Sequence, residues 1–313
     1  MLAYILRRLL SAIPVMGVVA IFVFSLLYLS PGDPAGVIAG DLATHEDIER
    51  IRGKLGLDQP LPTRFAVWIW SVLQGDLGTS MFTGTPVTQL VAQRLEPTLA
   101  LAACTLLLTI VIAIPLGVAA AARPGSWLDR SAMIFSVGGF SVPVFVLAYV
   151  MILIFSVWLG WLPVQGYRSL SGGVGPFLRH LILPSLALAF GLIALVARIT
   201  RASMLDVLAQ DYIRTAKAKG MAEPGVLLGH ALKNAAVPIA TIIGIGIALL
   251  LSGVVVTETV FGIPGMGKLI VDAILRRDYP VIQGVTLMFS LAYVLVNLLI
   301  DILYTFLDPR IRY

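Results

Sequence analysis

The sequence predicts an all-α membrane protein with six transmembrane helices. Hydrophobic residues make up 58% of the 313 residues and charged residues only 12%, whereas soluble domains carry roughly 25% charge. A helix needs about 20 apolar residues to cross a bilayer core, and six stretches are long enough. The alternating segments of about ten residues that build a membrane β-barrel are not visible. The predicted spans are Leu9–Leu29, Thr98–Ala121, Ala132–Leu159, Leu181–Ala197, Ala236–Val256 and Val285–Leu307.

The first span is expected to remain attached as a membrane anchor. It follows Arg7 and Arg8, and its charge-free run is longer than the 7–15 apolar residues of a secretory signal. The tripeptide at its end, Leu27-Tyr28-Leu29, is not a small-residue cleavage site.

Basic residues are concentrated on one side of these spans. With the N-terminus inside, the inner segments hold 12 basic and 5 acidic residues, and the outer segments hold 10 basic and 11 acidic residues. Short basic loops favour the cytoplasmic side of a membrane. We therefore expect both termini in the cytoplasm, and we attribute the net charge of +5 to topology rather than to nucleic-acid binding.

Three regions follow from this topology. Residues 1–29 are the cytoplasmic N-terminus and first span, residues 30–97 form a sizeable external domain, and residues 98–313 form a five-helix transmembrane core. The single cysteine, Cys104, allows no intramolecular disulfide, so the external domain must fold without one.

The external domain is expected to contain at least two helices. Thr44 is placed as the N-cap of a helix to Arg52, because an acid follows at the capping-box position, with acids first and bases last. Apolar residues then recur at helical spacing, so this domain can pack on the outer face of the bundle. These residues are Phe65, Trp68, Ile69 and Val72.

The longest inner segment, residues 198–235, is basic and is expected to hold two short helices. The first runs roughly from Leu208 to Lys219 and stops at Gly220, which can adopt the left-handed conformation at a helix C-terminus. The second begins near Glu223-Pro224, since proline is tolerated in a first helical turn. The segment fits either an ordinary loop that orients the protein or a docking surface for a cytoplasmic partner.

No catalytic, cofactor or metal site is predicted. Asp301 is the only acid inside a predicted span, and it lies about 9 Å along the helix from Leu307, which favours an interfacial anchor over a proton relay. His45, His180 and His230 are not arranged as metal ligands. No nucleophile has a base that the sequence can place. The sequence therefore shows no energy source within this chain.

The segment from Gly262 to Lys268 imitates a phosphate-binding loop. Leu269, however, stands where a Ser or Thr would hold magnesium, no strand leads into the segment, and the topology places it outside. We expect a structural turn, with Gly262, Pro264 and Gly265 as candidate gate residues.

The fifth span carries a repeat of small side chains that predicts close helix packing. A face of this kind can also act as a gate when the partner helix moves. The repeat consists of Ala240, Gly244, Ala248 and Ser252, and the same span contains Gly246 and Gly253.

Ordered motifs run through nearly the whole chain, and with them it resembles the B-type permease subunit of bacterial ABC importers for dipeptides, oligopeptides and nickel. The resemblance implies the type I ABC importer permease fold in a bacterial inner membrane. The motifs are Leu29–Ala35, Leu55–Leu61, Gly75–Ser80, Pro86-Val87, Arg94-Leu95, Thr98–Ala100, Tyr212–Gly220, His230–Asn234, Arg277–Gly284 and Leu307–Arg310.

The resemblance also implies that residues 198–235 are the coupling loop that sits in a groove of an ATPase subunit. Aligned on Gly220, the general Glu-Ala-Ala pattern falls on Arg214, Thr215 and Ala216, and its closing Ile-x-Leu-Pro falls on residues 230–233. The departures from the general pattern resemble the peptide branch of the family. The implied coupling residues are Tyr212, Arg214, Thr215, Ala216, Lys217, Gly220, His230 and Leu232.

A permease of this kind would import a dipeptide, an oligopeptide, glutathione or chelated nickel. Its implied partners are a homologous permease subunit in a heterodimer, two ATPase subunits that bind ATP and Mg, and an external solute-binding protein. That protein would contact Ser30–Pro97 and Thr257–Gly284. Two alternatives are an ion-coupled secondary transporter, which the lack of midplane charges disfavours, and a membrane-embedded assembly factor. Neither explains the motifs of the external domain.

The expected topology can be tested with cysteines introduced singly at Thr44 and Ala222. We expect an impermeant thiol reagent to label the first from outside the cell and the second only from inside, because the charge distribution places these residues on opposite sides. The reversed labelling pattern would contradict the topology.

Overall fold

The computed structural model describes residues 2–29, 35–36, 44–54 and 58–307. Within these residues the fold is helical, apart from an isolated bridge between Thr79 and Pro86. Two π-helices interrupt the α-helices: π1, Ile152–Trp158, follows α6, and π2, Gly225–Ala231, precedes α9. The α-helices are α1 Leu2–Leu29, α2 His45–Lys54, α3 Leu61–Leu73, α4 Val87–Ala122, α5 Trp127–Ser141, α6 Val144–Met151, α7 Val174–Leu208, α8 Asp211–Ala218, α9 Leu232–Val260, α10 Met266–Arg276 and α11 Tyr279–Leu307.

The described helices include five that are long and apolar enough to cross a membrane. They are α1, α4, α7, π2 with α9, and α11. A sixth span results if Trp127–Gly139 and Val144–Trp158, which meet at an angle of 110°, count as one bent helix. Five of the six predicted spans lie within these helices, and the sixth, Ala132–Leu159, coincides with the bent pair apart from its last residue. The all-α membrane class is therefore confirmed.

Several helices extend beyond the predicted spans. α4 begins at Val87 and continues through Pro97, so the predicted domain boundary at residue 97 lies inside a helix. α7 runs on to Leu208, which corrects the expectation that a loop begins at residue 198. Hydropathy marks only the part of a helix that suits lipid, whereas the backbone hydrogen bonds continue through the polar residues at its ends.

The chain divides into two compact units, Met1–Leu95 with Lys268–Val294, and Glu96–Gly267 with Leu295–Tyr313. In the second unit α7 is the most deeply buried spanning helix, and it packs against α5, α6 and α9. Glycines allow two close approaches to α7, one from α9 and one from α4. A Cβ at Gly253 would lie 2.6 Å from Leu188 Cδ1, and one at Gly117 would lie 2.6 Å from Thr200 Cβ.

In the first unit α3 packs against α1 and the beginning of α11. Val23 is fully buried there, with Trp68 packed around it, and Phe24 and Phe65 meet edge to face at 5.3 Å. The helix predicted from the spacing of Phe65 to Val72 is therefore confirmed, and its apolar face contacts α1.

Two motifs that are far apart in sequence meet in the first unit. The Ser80 hydroxyl donates a hydrogen bond to Asp278 Oδ2 at 2.5 Å, and the Met81 N–H donates one to Asp278 Oδ1 at 3.2 Å. A Cβ at Gly284 would lie 2.6 Å from Val87 Cγ1. The motifs Gly75–Ser80 and Arg277–Gly284 thus stabilise each other. Motifs Leu29–Ala35 and Leu307–Arg310 lie largely outside the described residues.

The turn after α10 holds a non-glycine residue in the left-handed conformation. Arg277 has φ 56°, its N–H donates to Ile274 O, and the Asp278 N–H donates to Ala273 O. These two bonds form the motif that usually ends a helix with glycine.

We expect Arg277→Gly to raise the free energy of unfolding by up to about 1 kcal/mol, because relief of a left-handed conformation that costs roughly 1–2 kcal/mol exceeds the added unfolded-state entropy of glycine. Thermal unfolding of the purified protein in detergent measures this effect. Arg276→Gly, inside the last turn of α10, is the control and should lower stability by about 1 kcal/mol. Equal destabilisation by both variants would contradict the account of strain.

Candidate functional site

The segment from Asp211 to Ala231, which contains α8 and π2, exposes charged side chains of both signs. α8 exposes Tyr212, Arg214, Thr215 and Lys217, whereas Ile213 is fully buried. Ala216 is half-buried on the same side as Ile213. One apolar anchor therefore holds a short helix whose other residues remain available for contact. We call this region the α8–π2 segment.

Gly220 ends α8 as the sequence predicts. Its φ is 78°, its N–H donates to Lys217 O at 3.0 Å, and the Met221 N–H donates to Ala216 O at 3.2 Å. This pair of bonds is the Schellman motif, in which a left-handed glycine satisfies the last carbonyls of a helix. The start of α8 differs from the prediction, because Leu208 belongs to α7 and extended backbone at Gln210 separates the two helices.

The second helix of the segment is a π-helix that begins at Gly225. Val226 and Ala231 are buried, and His230 is half-buried. Leu232, half-buried, opens α9 directly. The buried anchor Ile213 was missed in the sequence, although an isolated apolar residue in a polar helix is a usable signal for such an anchor.

The other end of α9 carries a second glycine-terminated turn. Gly262 has φ 60°, its N–H donates to Thr259 O, and the Ile263 N–H donates to Glu258 O at 2.9 Å. Ile263 is fully buried, and Pro264 is half-buried. The turn is therefore held by the same hydrogen-bond motif that ends α8.

A fully buried carboxylate lies beneath this turn. The Thr98 hydroxyl donates to Glu258 Oε1 at 2.6 Å, and Thr98 Oγ1 accepts the Met266 N–H at 2.8 Å. A Cβ at Gly265 would lie 2.1 Å from Glu258 Oε1, and a Cβ at Gly267 would lie 2.6 Å from Val255 Cα. Only glycine permits these approaches. Thr98, Glu258, Gly265, Met266 and Gly267 are together named the Glu258 cluster.

Glu258 corrects the expectation that Asp301 is the only acid inside a span. The predicted fifth span ends at Val256, whereas α9 continues to Val260, so Glu258 lies in its last turn. A buried charge needs hydrogen-bond partners, and the sequence places Thr98 160 positions away. No local pattern predicts that pairing.

The backbone of the phosphate-loop look-alike is already engaged within the protein. The Gly265 N–H donates to Ile263 O at 2.8 Å, and the Met266 N–H donates to Thr98. A phosphate loop instead directs its N–H groups at the ligand. This geometry favours the structural turn.

The loop before α7 closes over the same end of α9. The Gly166 N–H donates to Phe261 O at 2.8 Å. Tyr167 and Ser169 donate to Glu96 Oε1 at 3.0 and 2.6 Å. Burial, with help from the bond to Glu96, raises the pKa of Tyr167 to about 12. Side-chain bonds thus tie this loop to α4.

The small residues of the α9 repeat are only partly buried by the described residues of the chain. Gly244 is buried, and a Cβ there would lie 2.9 Å from Ile300 Cδ1. Ala240 and Ala248 are half-buried, and Ser252 is exposed. Positions four residues apart drift about 40° around a helix at each step, so the four do not share one face.

No group of three or more His, Cys, Asp or Glu residues that could hold a metal ion occurs among the described residues. The polar bonds described above all join parts of the chain to one another. What the geometry offers is an exposed, charged segment at one end of α9 and a tightly packed turn at its other end.

Comparison with known proteins covers nearly the whole chain. Residues 113–313 match the model of the binding-protein-dependent transport system inner membrane component, and residues 1–102 match the model of the N-terminal part of such membrane components. A probable peptide ABC transporter permease of Sinorhizobium fredii is 55% identical over 99% of both chains. A glutathione transport system permease of Salmonella choleraesuis is 46% identical over 100% of both chains.

A solved structure has a similar fold. It is a chain of the MetNI methionine ABC transporter in an inward-facing conformation, with a TM-score of 0.57 and 18% identity, and the match covers 70% of this chain and 97% of that one. At this identity the likeness concerns the fold.

The Glu258 cluster predicts a specific intolerance at position 265. We expect Gly265→Ala to lower the free energy of unfolding by about 1–3 kcal/mol, because the new methyl group overlaps the buried Glu258 carboxylate. Thermal unfolding in detergent measures this effect. Gly175→Ala is the matched control, since a Cβ at Gly175 meets no atom within 4 Å.

The cause can be tested in a Glu258→Ala background. Gly265→Ala should cost less there, because the carboxylate that meets the methyl group is gone. An equal cost in both backgrounds would refute the overlap.

Proposed function

Since the chain belongs to the family of binding-protein-dependent transport system inner membrane components, we propose that it is the permease subunit through which an ABC importer moves short peptides into the cytoplasm. A member of this family is a multi-pass inner-membrane subunit and is not itself an enzyme. It binds no cofactor of its own, and ATP is hydrolysed in partner subunits.

The observation that carries the proposed substrate class is similarity over the full length to two named permeases. One is called a peptide permease and the other a glutathione permease. Glutathione is itself a small peptide, so both names describe solutes of one chemical class. This similarity supports short peptides over chelated nickel.

The proposed topology places both termini and the α8–π2 segment in the cytoplasm and residues 30–97 outside. The charge distribution supports this arrangement. We propose that the solute-binding protein contacts residues 30–97 and 257–284. A homologous second permease subunit would lie beside this chain in the membrane. Two ATPase subunits then complete the transporter.

The α8–π2 segment is proposed as the contact for an ATPase subunit. Its exposed side chains, Tyr212, Arg214 and Lys217, form the docking face, and the buried Ile213 makes α8 move with the protein beneath it. Only two residues separate α8 from α7. A displacement of α8 is therefore passed on as the movement of a rigid helix.

α9 connects the proposed ATPase contact to the proposed outer gate. It begins at Leu232, where π2 ends, and runs without interruption to Val260, a length of roughly 44 Å at 1.5 Å per residue. The Glu258 cluster and the Gly262 turn lie at its far end. This geometry supports a mechanism in which one helix transmits the motion of the ATPase subunits from the cytoplasmic face to the outer face of the membrane.

The experiment that tests the function is uptake of a labelled tripeptide by the complete complex in proteoliposomes, with the binding protein added. We expect uptake to require hydrolysable ATP on the cytoplasmic side. Uptake that persists with inactive ATPases and follows a proton or sodium gradient would instead establish a secondary transporter. Glu258, a buried acid in a spanning helix, would then be the first residue to replace.

The turn at Gly220 supplies a prediction about coupling. We expect Gly220→Val to cost about 1–2 kcal/mol locally, because a β-branched residue strongly disfavours the left-handed conformation. The chain after α8 would be redirected, and copurification of the ATPase subunits or peptide uptake should fail while membrane insertion persists.

Gly220→Asn is the matched variant, because asparagine tolerates the left-handed conformation better than other side chains do. It should retain both assembly and uptake. Full uptake by Gly220→Val would contradict the proposed role of the turn.

A further inference from the structure

A two-point ion pair joins α7 to the first turn of α5. Arg201 Nε donates to Asp129 Oδ1, and Arg201 Nη2 donates to Asp129 Oδ2 at 2.8 Å. The Asp129 side chain is 5% exposed and the Arg201 side chain 23%. A guanidinium held through two parallel bonds fixes orientation as well as distance, which a single contact does not.

Asp129 is firmly held on its own side of this pair. Its Oδ2 accepts the Gly125 N–H at 2.9 Å, and its own N–H donates to the N-cap Ser126 Oγ at 3.3 Å. Gly125 has φ 77°, as the turn between α4 and α5 requires. The carboxylate is therefore an integral part of this turn.

Arg201 lies in a well-packed part of α7. Its neighbours Thr200 and Met204 are fully buried. α4 approaches α7 at the adjacent position, where a Cβ at Gly117 would lie 2.7 Å from Ala197 O. α7 ends seven residues beyond Arg201, roughly 10 Å along the helix, and the α8–π2 segment follows.

We propose that Arg201 and Asp129 are positioning residues that couple movement of α8, through α7, to α5 and the bent span it begins. This inference rests on the proposed function. α7 receives any displacement of α8 through the chain, and the ion pair passes it to α5, which leads to the 110° bend before α6. The pair thus forms a rigid connection between the ATPase contact and the transmembrane core.

An ion pair that transmits movement and an ion pair that only stabilises the fold respond differently to the loss of both charges. Removing one partner of a buried pair leaves an uncompensated charge, whereas removing both is often neutral for stability. A variant without either charge therefore retains the fold but loses the two-point connection. That difference separates positioning from folding.

The test uses the complete reconstituted complex with its ATPase subunits and binding protein, and it measures assembly, ATP hydrolysis and tripeptide uptake. Arg201→Lys keeps the charge but replaces the two-point contact with a point charge. The double variant Asp129→Asn with Arg201→Gln removes both charges. Arg198→Lys and Arg198→Gln are matched controls, because Arg198 lies one turn earlier on α7 and is exposed.

We expect Arg201→Lys and the double variant to assemble and hydrolyse ATP, while peptide taken up per ATP hydrolysed falls about fivefold or more, the lower end of ordinary coupling effects. Both Arg198 variants should keep the normal ratio. A normal ratio in the double variant would contradict the proposed connection. Loss of assembly in both Arg201→Lys and the double variant would also contradict it, because the pair would then serve folding alone. Uptake by the unaltered complex tests the proposed function separately.

Discussion

Close packing of α7 against its neighbours is the constraint on which the second compact unit depends. Lipid tails are as apolar as leucine, so helices in a bilayer associate through van der Waals contact at short range rather than through the hydrophobic effect. Gly253 and Gly117 supply that contact, since a Cβ at either position would meet a side chain of α7 at 2.6 Å. The segments that carry the proposed function are attached to the ends of this packed group of helices.

Buried polar bonds then fix those ends. The Thr98–Glu258 bond and the Asp129–Arg201 pair each join helices that are distant in sequence. In surroundings of low polarity such a bond is strong, and an unpaired partner is costly. Through these contacts, a few buried polar side chains hold the turns beside them in one position.

Three helices end with the same backbone conformation. Gly220, Gly262 and Arg277 all adopt positive φ after α8, α9 and α10. The N–H of each of these residues and the N–H of the residue after it donate to carbonyl groups of the preceding helix. A left-handed residue satisfies the last carbonyls in a single step, so the following segment starts in a defined direction. This geometry allows α8 to be short and still act as a rigid element.

The sequence by itself determined the all-α membrane class, the six apolar segments, the stop of α8 at Gly220 and, through ordered motifs, the permease family. These features follow from composition and from local backbone preferences, which short segments carry on their own. Only the tertiary structure decided which residues meet. It paired Glu258 with Thr98, Asp129 with Arg201 and Ser80 with Asp278, extended α7 to Leu208, and buried Ile213, the apolar anchor of α8. Such pairings depend on how helices far apart in the chain pack together, and no periodicity within a single helix encodes them.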